Sequence, residues 1–159
     1  MARVLIVGCG CRGGALARAL VAEGHAVRGT TRDPGRLAEI EASGAEAVAA
    51  DPHRLATVTP QLAGVSVVCW LMGSADAAAA ADLHGPRLRT LLERLVDTPV
   101  RGVVYEAAGS VDPDLLSAGA AAVREAAARW RIPAEVVDAD PSNRDPWVAA
   151  MTAAVGRLL

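Results

Sequence analysis

The sequence predicts a single α/β domain built on a doubly wound parallel sheet of six strands. The length of 159 residues fits one domain. Short apolar runs alternate along the chain with amphipathic stretches of helical length, which favours strands connected by helices. The runs are apolar throughout, as in parallel sheets that are covered on both faces. Apolar residues make up 52% of the chain, enough for a sizeable core although phenylalanine is absent.

The predicted elements follow one another in regular alternation. The strands are predicted at residues 4–7, 26–30, 46–50, 65–71, 100–105 and 134–137. Helices are predicted at about 14–23, 34–43, 53–62, 86–96, 118–130 and 146–158, and the alanine run 77–81 is open to a helix or a mobile loop. The second helix has the signal of an N-cap carboxylate followed by proline, Asp33-Pro34. Pro60 limits the third helix.

Composition excludes several classes of function. All 16 basic residues are arginine, so a Schiff-base lysine, the lysine of a Walker loop and a Tyr-Lys catalytic pair are excluded. A net charge of -2 with scattered arginines predicts no nucleic-acid partner. No apolar run approaches the roughly 20 residues of a membrane span, so no membrane association is predicted.

The cysteines and histidines predict neither a disulfide framework nor a metal site. The cysteine count of three is odd, and Cys9 and Cys11 are two residues apart, which favours a reducing, cytoplasmic location. His25, His53 and His84 are isolated in sequence, and no spacing suits zinc. Cys9 and Cys11 are expected to fill a tight turn as small apolar side chains; a redox-sensing role is the alternative.

A glycine motif follows the first predicted strand and opens the first helix. Gly8, Gly10 and Gly13 form a G-x-G-x-x-G pattern that includes Cys11 and Arg12. Gly8 permits a tight turn, Gly10 lets a pyrophosphate approach the backbone, and Gly13 allows close packing of helix and strand. The free N–H groups and the helix dipole favour phosphate there. The pattern predicts a dinucleotide site on a Rossmann sheet; the alternative is a glycine-rich turn that binds nothing.

The end of the second strand bears on which dinucleotide is bound. NAD-binding proteins usually place a carboxylate about 20 residues beyond the glycines. Here Thr31 carries no negative charge, and Arg32 can donate a bidentate hydrogen bond to a 2′-phosphate. Arg12 could add a second positive charge. NADP is therefore the predicted cofactor, and NAD, with Asp33 as its carboxylate, is the alternative; Pro34 favours a helix cap for Asp33.

Three segments, residues 4–10, 24–34 and 44–51, resemble the extended and atypical short-chain dehydrogenase/reductases. The NAD-dependent epimerase/dehydratase and NmrA-like groups are the most similar. The resemblance implies that Asp51 lies beside the adenine, although an N-cap role for Asp51 is also open. It further implies that Leu71, Met72 and Gly73 line the cofactor and that Arg32 stands where NADP-preferring members place an arginine.

The chain departs from that family where catalysis is expected. The family uses a Tyr-x-x-x-Lys pair on the helix after the fifth strand and a serine at the end of that strand. The corresponding helix has no tyrosine across residues 117–124, and Ala107 and Ala108 stand where serines are usual. Such enzymes also generally carry a substrate-binding part for which 159 residues leave no room. Tyr105 is the catalytic candidate, because with Glu106 it could form an acid/base pair near a nicotinamide; a tyrosine that caps the fifth strand is the alternative.

Three hypotheses remain open from the sequence. The first is an NADP-binding Rossmann protein with a sensing, regulatory or structural role and without the family's catalytic pair. The second is a small NAD(P)-dependent oxidoreductase in which residues such as Tyr105, or a partner subunit, complete the site. The third is a Rossmann-shaped interaction module without a nucleotide. Trp147 is expected in the core or in a homodimer interface, and Trp70 in the core or the cofactor pocket.

Overall fold

Six parallel strands form one sheet in the computed structural model, which describes residues 2–159. The strands are β1 (Arg3–Val7), β2 (Ala26–Thr31), β3 (Glu46–Ala49), β4 (Val67–Trp70), β5 (Gly102–Glu106) and β6 (Ala134–Val137). Their order across the sheet is β3-β2-β1-β4-β5-β6. The connections therefore change direction between β1 and β4, which is where a doubly wound sheet opens a crevice at its carboxyl edge. The predicted Rossmann fold class is confirmed.

Helices connect the strands and cover both faces of the sheet. They are α1 (Cys11–Ala22), α2 (Leu37–Ala42), α3 (Leu55–Val58), α4 (Ala77–Leu83), α5 (Pro86–Leu95), α6 (Pro113–Trp130) and α7 (Arg144–Leu158). Two 3₁₀ turns, Pro34–Arg36 and Thr59–Leu62, precede α2 and follow α3. Within residues 2–159, no helix is both long enough and apolar enough to cross a membrane.

The largest differences from the predicted helix bounds occur in two helices. Helix α6 begins five residues before the predicted start at 118, because the Asp112 carboxylate accepts the N–H of Asp114 and Pro113 occupies the first helical position. The helix predicted at 53–62 is instead the short α3 followed by a 3₁₀ turn that contains Pro60. Proline has no N–H to continue an α-helical ladder, so the segment tightens there.

The core has one part on each face of the sheet. Helix α5 buries four leucines, Leu88, Leu91, Leu92 and Leu95, in the part that also contains Trp70. Helix α7 buries the predicted stripe residues Trp147, Met151 and Val155 in the other part, beside α1, β5 and β6. Trp70 and Trp147 are both fully buried, and the Trp70 indole N–H donates to the carbonyl of Leu83. Both tryptophans are thus core residues.

Helix α6 packs closely on β5 at a glycine. Gly119 faces the fully buried Tyr105, and a Cβ at position 119 would overlap the Tyr105 hydroxyl and meet its ring atom Cε1 at 3.2 Å. Gly156 in α7 provides a contrast, since a Cβ there would meet no atom within 4 Å. The absent side chain at 119 therefore sets how closely α6 approaches the sheet.

We predict opposite effects of the same substitution at these two glycines. Gly119→Ala should lower the free energy of unfolding by about 1–3 kcal/mol, because the Tyr105 ring has no space into which to move. The matched control Gly156→Ala should raise the free energy of unfolding by roughly 0.5–1 kcal/mol, because alanine reduces the backbone entropy of the unfolded chain. Urea unfolding followed by circular dichroism measures both. Equal effects of the two substitutions would contradict this packing.

Candidate functional site

The turn between β1 and α1 is built around two glycines whose missing side chains allow close packing. Gly8 has a φ of +86°, and a Cβ there would overlap Met72 and lie 2.7 Å from the Leu71 carbonyl oxygen. A Cβ at Gly13 would lie 3.3 Å from the Gly8 carbonyl oxygen and 3.4 Å from the Cys9 sulfur. These positions agree with the roles that the motif predicts for the first and third glycines, a tight turn and close helix packing.

The second glycine of the motif faces open space. A Cβ at Gly10 would meet nothing within 4 Å, although Gly10 lies in the turn and serves as the N-cap of α1. No side chain caps this helix end and its first turn has no acidic residue, so its first N–H groups can receive an acceptor from outside the chain. The helix dipole favours a negative group there. This end of α1 therefore fits a phosphate group.

A cleft of about 260 Å³ opens at the carboxyl edge of the sheet beside this turn. Seven of the residues predicted from the sequence line it: Gly8, Gly10, Arg12, Thr31, Arg32, Leu71 and Met72. Further lining residues that the sequence reasoning did not single out include Arg36, Ala50, Pro52, His53, Ser74 and Asp76. Arg36 lies only four residues after Arg32, in the segment that follows β2, so a second arginine at this end of the cleft had a local signal in the sequence. Asp76 had no such signal.

Four predicted site residues, Cys11, Gly13, Asp51 and Gly73, do not line the cleft. Gly13 is buried, where it allows helix packing. Cys11 is exposed and lines a neighbouring surface groove together with Arg18 and Arg144. The Asp51 carboxylate accepts the N–H of His53 at 3.0 Å, so it stabilises the turn before α3 rather than capping that helix. Its proposed place beside an adenine stays a prediction.

The end of β2 presents two arginines to the cleft. Arg32 contacts the Asp76 carboxylate with its Nη2 at 3.4 Å, and the two side chains are 61% and 79% exposed. Arg36 lines the same end and contacts Glu39 at 3.3 Å. The Asp33 carboxylate accepts the N–H of Gly35 at 2.9 Å and caps the 3₁₀ turn that begins at Pro34, as the sequence predicts.

At the other end of the cleft, Arg12 is held by a buried carboxylate. Its Nε and Nη2 donate to the two carboxylate oxygens of Glu106 at 2.7 and 2.6 Å. Glu106 is fully buried at the end of β5, and it also accepts the N–H of Gly73 at 2.9 Å. A paired carboxylate neutralises the charge of its arginine, so Arg12 offers an anion hydrogen-bond donors more than a net positive charge.

Tyr105, the weak catalytic candidate, lies in the core and does not line the cleft. Its hydroxyl donates to Nδ1 of His84 at 2.6 Å, while Nε2 of His84 donates to the Met72 carbonyl at 2.7 Å. The carbonyl can only accept, which assigns the ring hydrogen to Nε2. Burial raises the pKa of Tyr105 and lowers the pKa of His84. The two side chains thus form a neutral, buried hydrogen-bond network beneath the cleft.

The two buried thiols are packing groups. Burial raises the pKa of Cys9 to about 11 and that of Cys69 to about 12, so both stay protonated at neutral pH. The Cys9 sulfur fills the space beside Gly13 and Gly29, which supports the apolar-filling interpretation for that residue. Among residues 2–159, no three His, Cys, Asp or Glu side chains come together as metal ligands would.

The fold and this glycine turn define a Rossmann domain of the dinucleotide-binding class. A family model described as NAD(P)H-binding matches residues 8–131, which is most of the chain. The chain therefore belongs to this family of NAD(P)H-binding domains. A search of curated proteins found no match.

Solved structures share the fold at low sequence identity. A putative NAD-dependent epimerase/dehydratase from Bacillus halodurans has a TM-score of 0.72 and 21% identity over 88% of this chain and 71% of that one. A short-chain dehydrogenase/reductase superfamily protein from Agrobacterium tumefaciens with bound NAD has a TM-score of 0.67, 20% identity and 84% coverage of this chain. Triphenylmethane reductase from Citrobacter sp. complexed with NADP(H) has a TM-score of 0.64, 19% identity and 84% coverage of this chain. This chain spans 48% of each of the last two.

We predict that Gly10→Ala separates nucleotide binding from folding. The new methyl group would enter the open space where a pyrophosphate approaches the backbone, so the affinity for NADP⁺ should fall by about tenfold or more. The thermal midpoint should stay close to that of the wild type, because a Cβ there meets no protein atom within 4 Å. Calorimetric titration and a melting curve measure the two quantities.

Gly14→Ala is the matched control for this substitution. A Cβ at Gly14 also meets nothing within 4 Å, but Gly14 lies inside α1 and its N–H is bonded to the Gly10 carbonyl. The affinity of the Gly14→Ala variant for NADP⁺ should equal that of the wild type. Unchanged binding by Gly10→Ala would show that nucleotide binds elsewhere.

Proposed function

We propose that this chain binds NADP in preference to NAD and works as a sensing or regulatory domain rather than as an oxidoreductase with its own catalytic pair. The observation that carries the preference is the position of Arg32 at the cleft, directly after β2. This is the end of the sheet at which Rossmann domains bind the adenosine ribose. A guanidinium there matches the geometry and charge of a 2′-phosphate.

The contacts of Arg32 are weak enough for its guanidinium to leave Asp76 and bind a phosphate instead. The pair with Asp76 is exposed and its N–O distance is 3.4 Å, so it contributes only about 0–1 kcal/mol. A dianionic phosphate offers more acceptors than the Asp76 carboxylate does. Arg36 lines the same end and adds a second cation. The competing NAD interpretation needs a carboxylate on the ribose hydroxyls, but the Asp33 carboxylate is engaged in its cap.

The regulatory part of the proposal depends on what this chain lacks at the reacting end. The chain contains no lysine, and α6 contains no tyrosine. Its single tyrosine, Tyr105, is buried and bonded to His84. No residue of this chain therefore offers the family's proton donor at the cleft. The exposed free thiol of Cys11 supports a reducing compartment such as the cytoplasm.

We predict that Arg32→Ala weakens NADP⁺ binding selectively. Loss of one charge-assisted hydrogen bond at this exposed position should raise the dissociation constant for NADP⁺ by about tenfold and leave that for NAD⁺ within about twofold. Calorimetric titration of both nucleotides measures the change. Arg89→Ala, an exposed arginine of α5 outside the cleft, is the matched control and should change neither constant.

Three results would count against the proposal. Equal weakening of NAD⁺ and NADP⁺ would make Arg32 a general binding residue, and wild-type protein with equal affinity for both would remove the preference. Oxidation of NADPH by the wild-type chain in the presence of aldehydes or ketones would contradict the regulatory role. We expect the nicotinamide absorbance to persist with every member of such a carbonyl panel.

A further inference from the structure

The cleft stops short of one half of the sheet edge. Every residue that lines it comes from the first 83 residues, that is from the turn after β1, the ends of β2 and β3, and the segment from the end of β4 through α4. The ends of β5 and β6 contribute no lining residue. In a doubly wound sheet the two halves of a dinucleotide lie on opposite sides of the switch point. The cleft therefore covers the side of β1, β2 and β3, where the adenosine half binds, and on the other side of the switch point it reaches only the segment from the end of β4 through α4.

The Arg12–Glu106 pair marks the place where the cleft ends. Arg12 lines the cleft, and its guanidinium is fixed by two hydrogen bonds to a carboxylate at the end of β5. The pair thus connects the start of α1 to β5 across the end of β4. Separating it would leave the fully buried Glu106 charge without its partner, which is strongly unfavourable. The side chains accordingly form a fixed wall.

Backbone contacts close the same end of the sheet behind this wall. Gly73, after β4, donates its N–H to Glu106 at 2.9 Å, and its carbonyl accepts the N–H of Val111 at 3.1 Å. A Cβ at Gly73 would overlap the Ala108 carbonyl oxygen, and a Cβ at Gly109 would overlap the Gly73 carbonyl oxygen. The segments that follow β4 and β5 are therefore in direct backbone contact over the strand ends.

The volume of the cleft agrees with a partial ligand. Its 260 Å³ lies just below the roughly 300–1,000 Å³ of clefts that enclose a drug-sized molecule. The Gly10 end has uncapped N–H groups that fit a phosphate, and the Arg32 end offers a guanidinium that fits a second one, which matches the two ends of a phosphorylated adenosine.

We propose that this chain recognises the 2′-phosphorylated adenosine half of its dinucleotide and makes no contact with the nicotinamide ring. The ligand class is thus adenosine nucleotides that carry both a 2′-phosphate and a 5′-phosphate, of which NADP is one member. This rests on the proposed function, because it concerns the same cleft and the same Arg32. It explains how the site can bind the cofactor while leaving the reacting ring outside.

Saturation-transfer NMR on the whole chain with NADP⁺ tests the proposal directly. The adenine ring protons should receive saturation from the protein, and the nicotinamide ring protons should not. Calorimetry provides a second measurement: 2′,5′-ADP, which lacks the nicotinamide half, should bind within about threefold of NADP⁺. Saturation of both rings, or NADP⁺ binding more than about tenfold tighter than 2′,5′-ADP, would overturn the proposal. Failure of both ligands to bind would instead overturn the proposed function.

A double variant tests whether the ion pair forms the wall. Arg12→Met with Glu106→Gln removes both charges, while the glutamine oxygen can still accept the N–H of Gly73. The nicotinamide protons should then receive saturation. The matched control is Arg157→Met with Glu135→Gln, which removes an exposed pair of 3.0 Å far from the cleft and should behave like the wild type. Nicotinamide protons that stay silent in the Arg12 variant would show that the pair is not the barrier.

Discussion

The close backbone approach at the turn between β1 and α1 is the constraint on which the rest of the site depends. Gly8 brings the turn against the Leu71 carbonyl and Met72 at the end of β4, and Gly13 brings α1 against the same turn. Together they aim the uncapped end of α1 at the crevice between β1 and β4. The Cys9 sulfur then occupies the small space left beside Gly13 and Gly29. The phosphate recognition that we propose here is therefore a consequence of packing.

The reacting end of the sheet has a different organisation. This chain contains no lysine, so it has no lysine ammonium group to hold a ribose or to lower the pKa of a tyrosine. In this chain a buried carboxylate, Glu106, connects the start of α1 to the segment after β4 through Arg12 and Gly73. Tyr105 is turned into the core, where His84 satisfies its hydroxyl. The strand ends that would face a nicotinamide are thus used for internal contacts.

The sequence predicted the sheet and the phosphate end of the site because those signals are local. Alternating apolar runs, three glycines in one turn and the Asp33-Pro34 cap each lie within a few residues of one another. The Arg12–Glu106 pair joins residues 94 positions apart, and the Arg32–Asp76 pair joins residues 44 positions apart, so no pattern in the chain announces either. Tyr105 lies in a strand buried on both faces, and alternation therefore could not show which way its side chain points. The start of α6 also had a local signal in the sequence, because Asp112-Pro113 is an N-cap carboxylate followed by proline.

Both proposals require that nucleotide binds at the glycine turn and the end of β2. Backbone amide chemical shifts, assigned for the whole chain and followed during titration with NADP⁺, test it residue by residue. We expect the largest shifts at residues 9–13 and 30–32, where the N–H groups of the turn would meet phosphates. Largest shifts in the groove between α5 and α6, around Arg89 and Trp130, would contradict it.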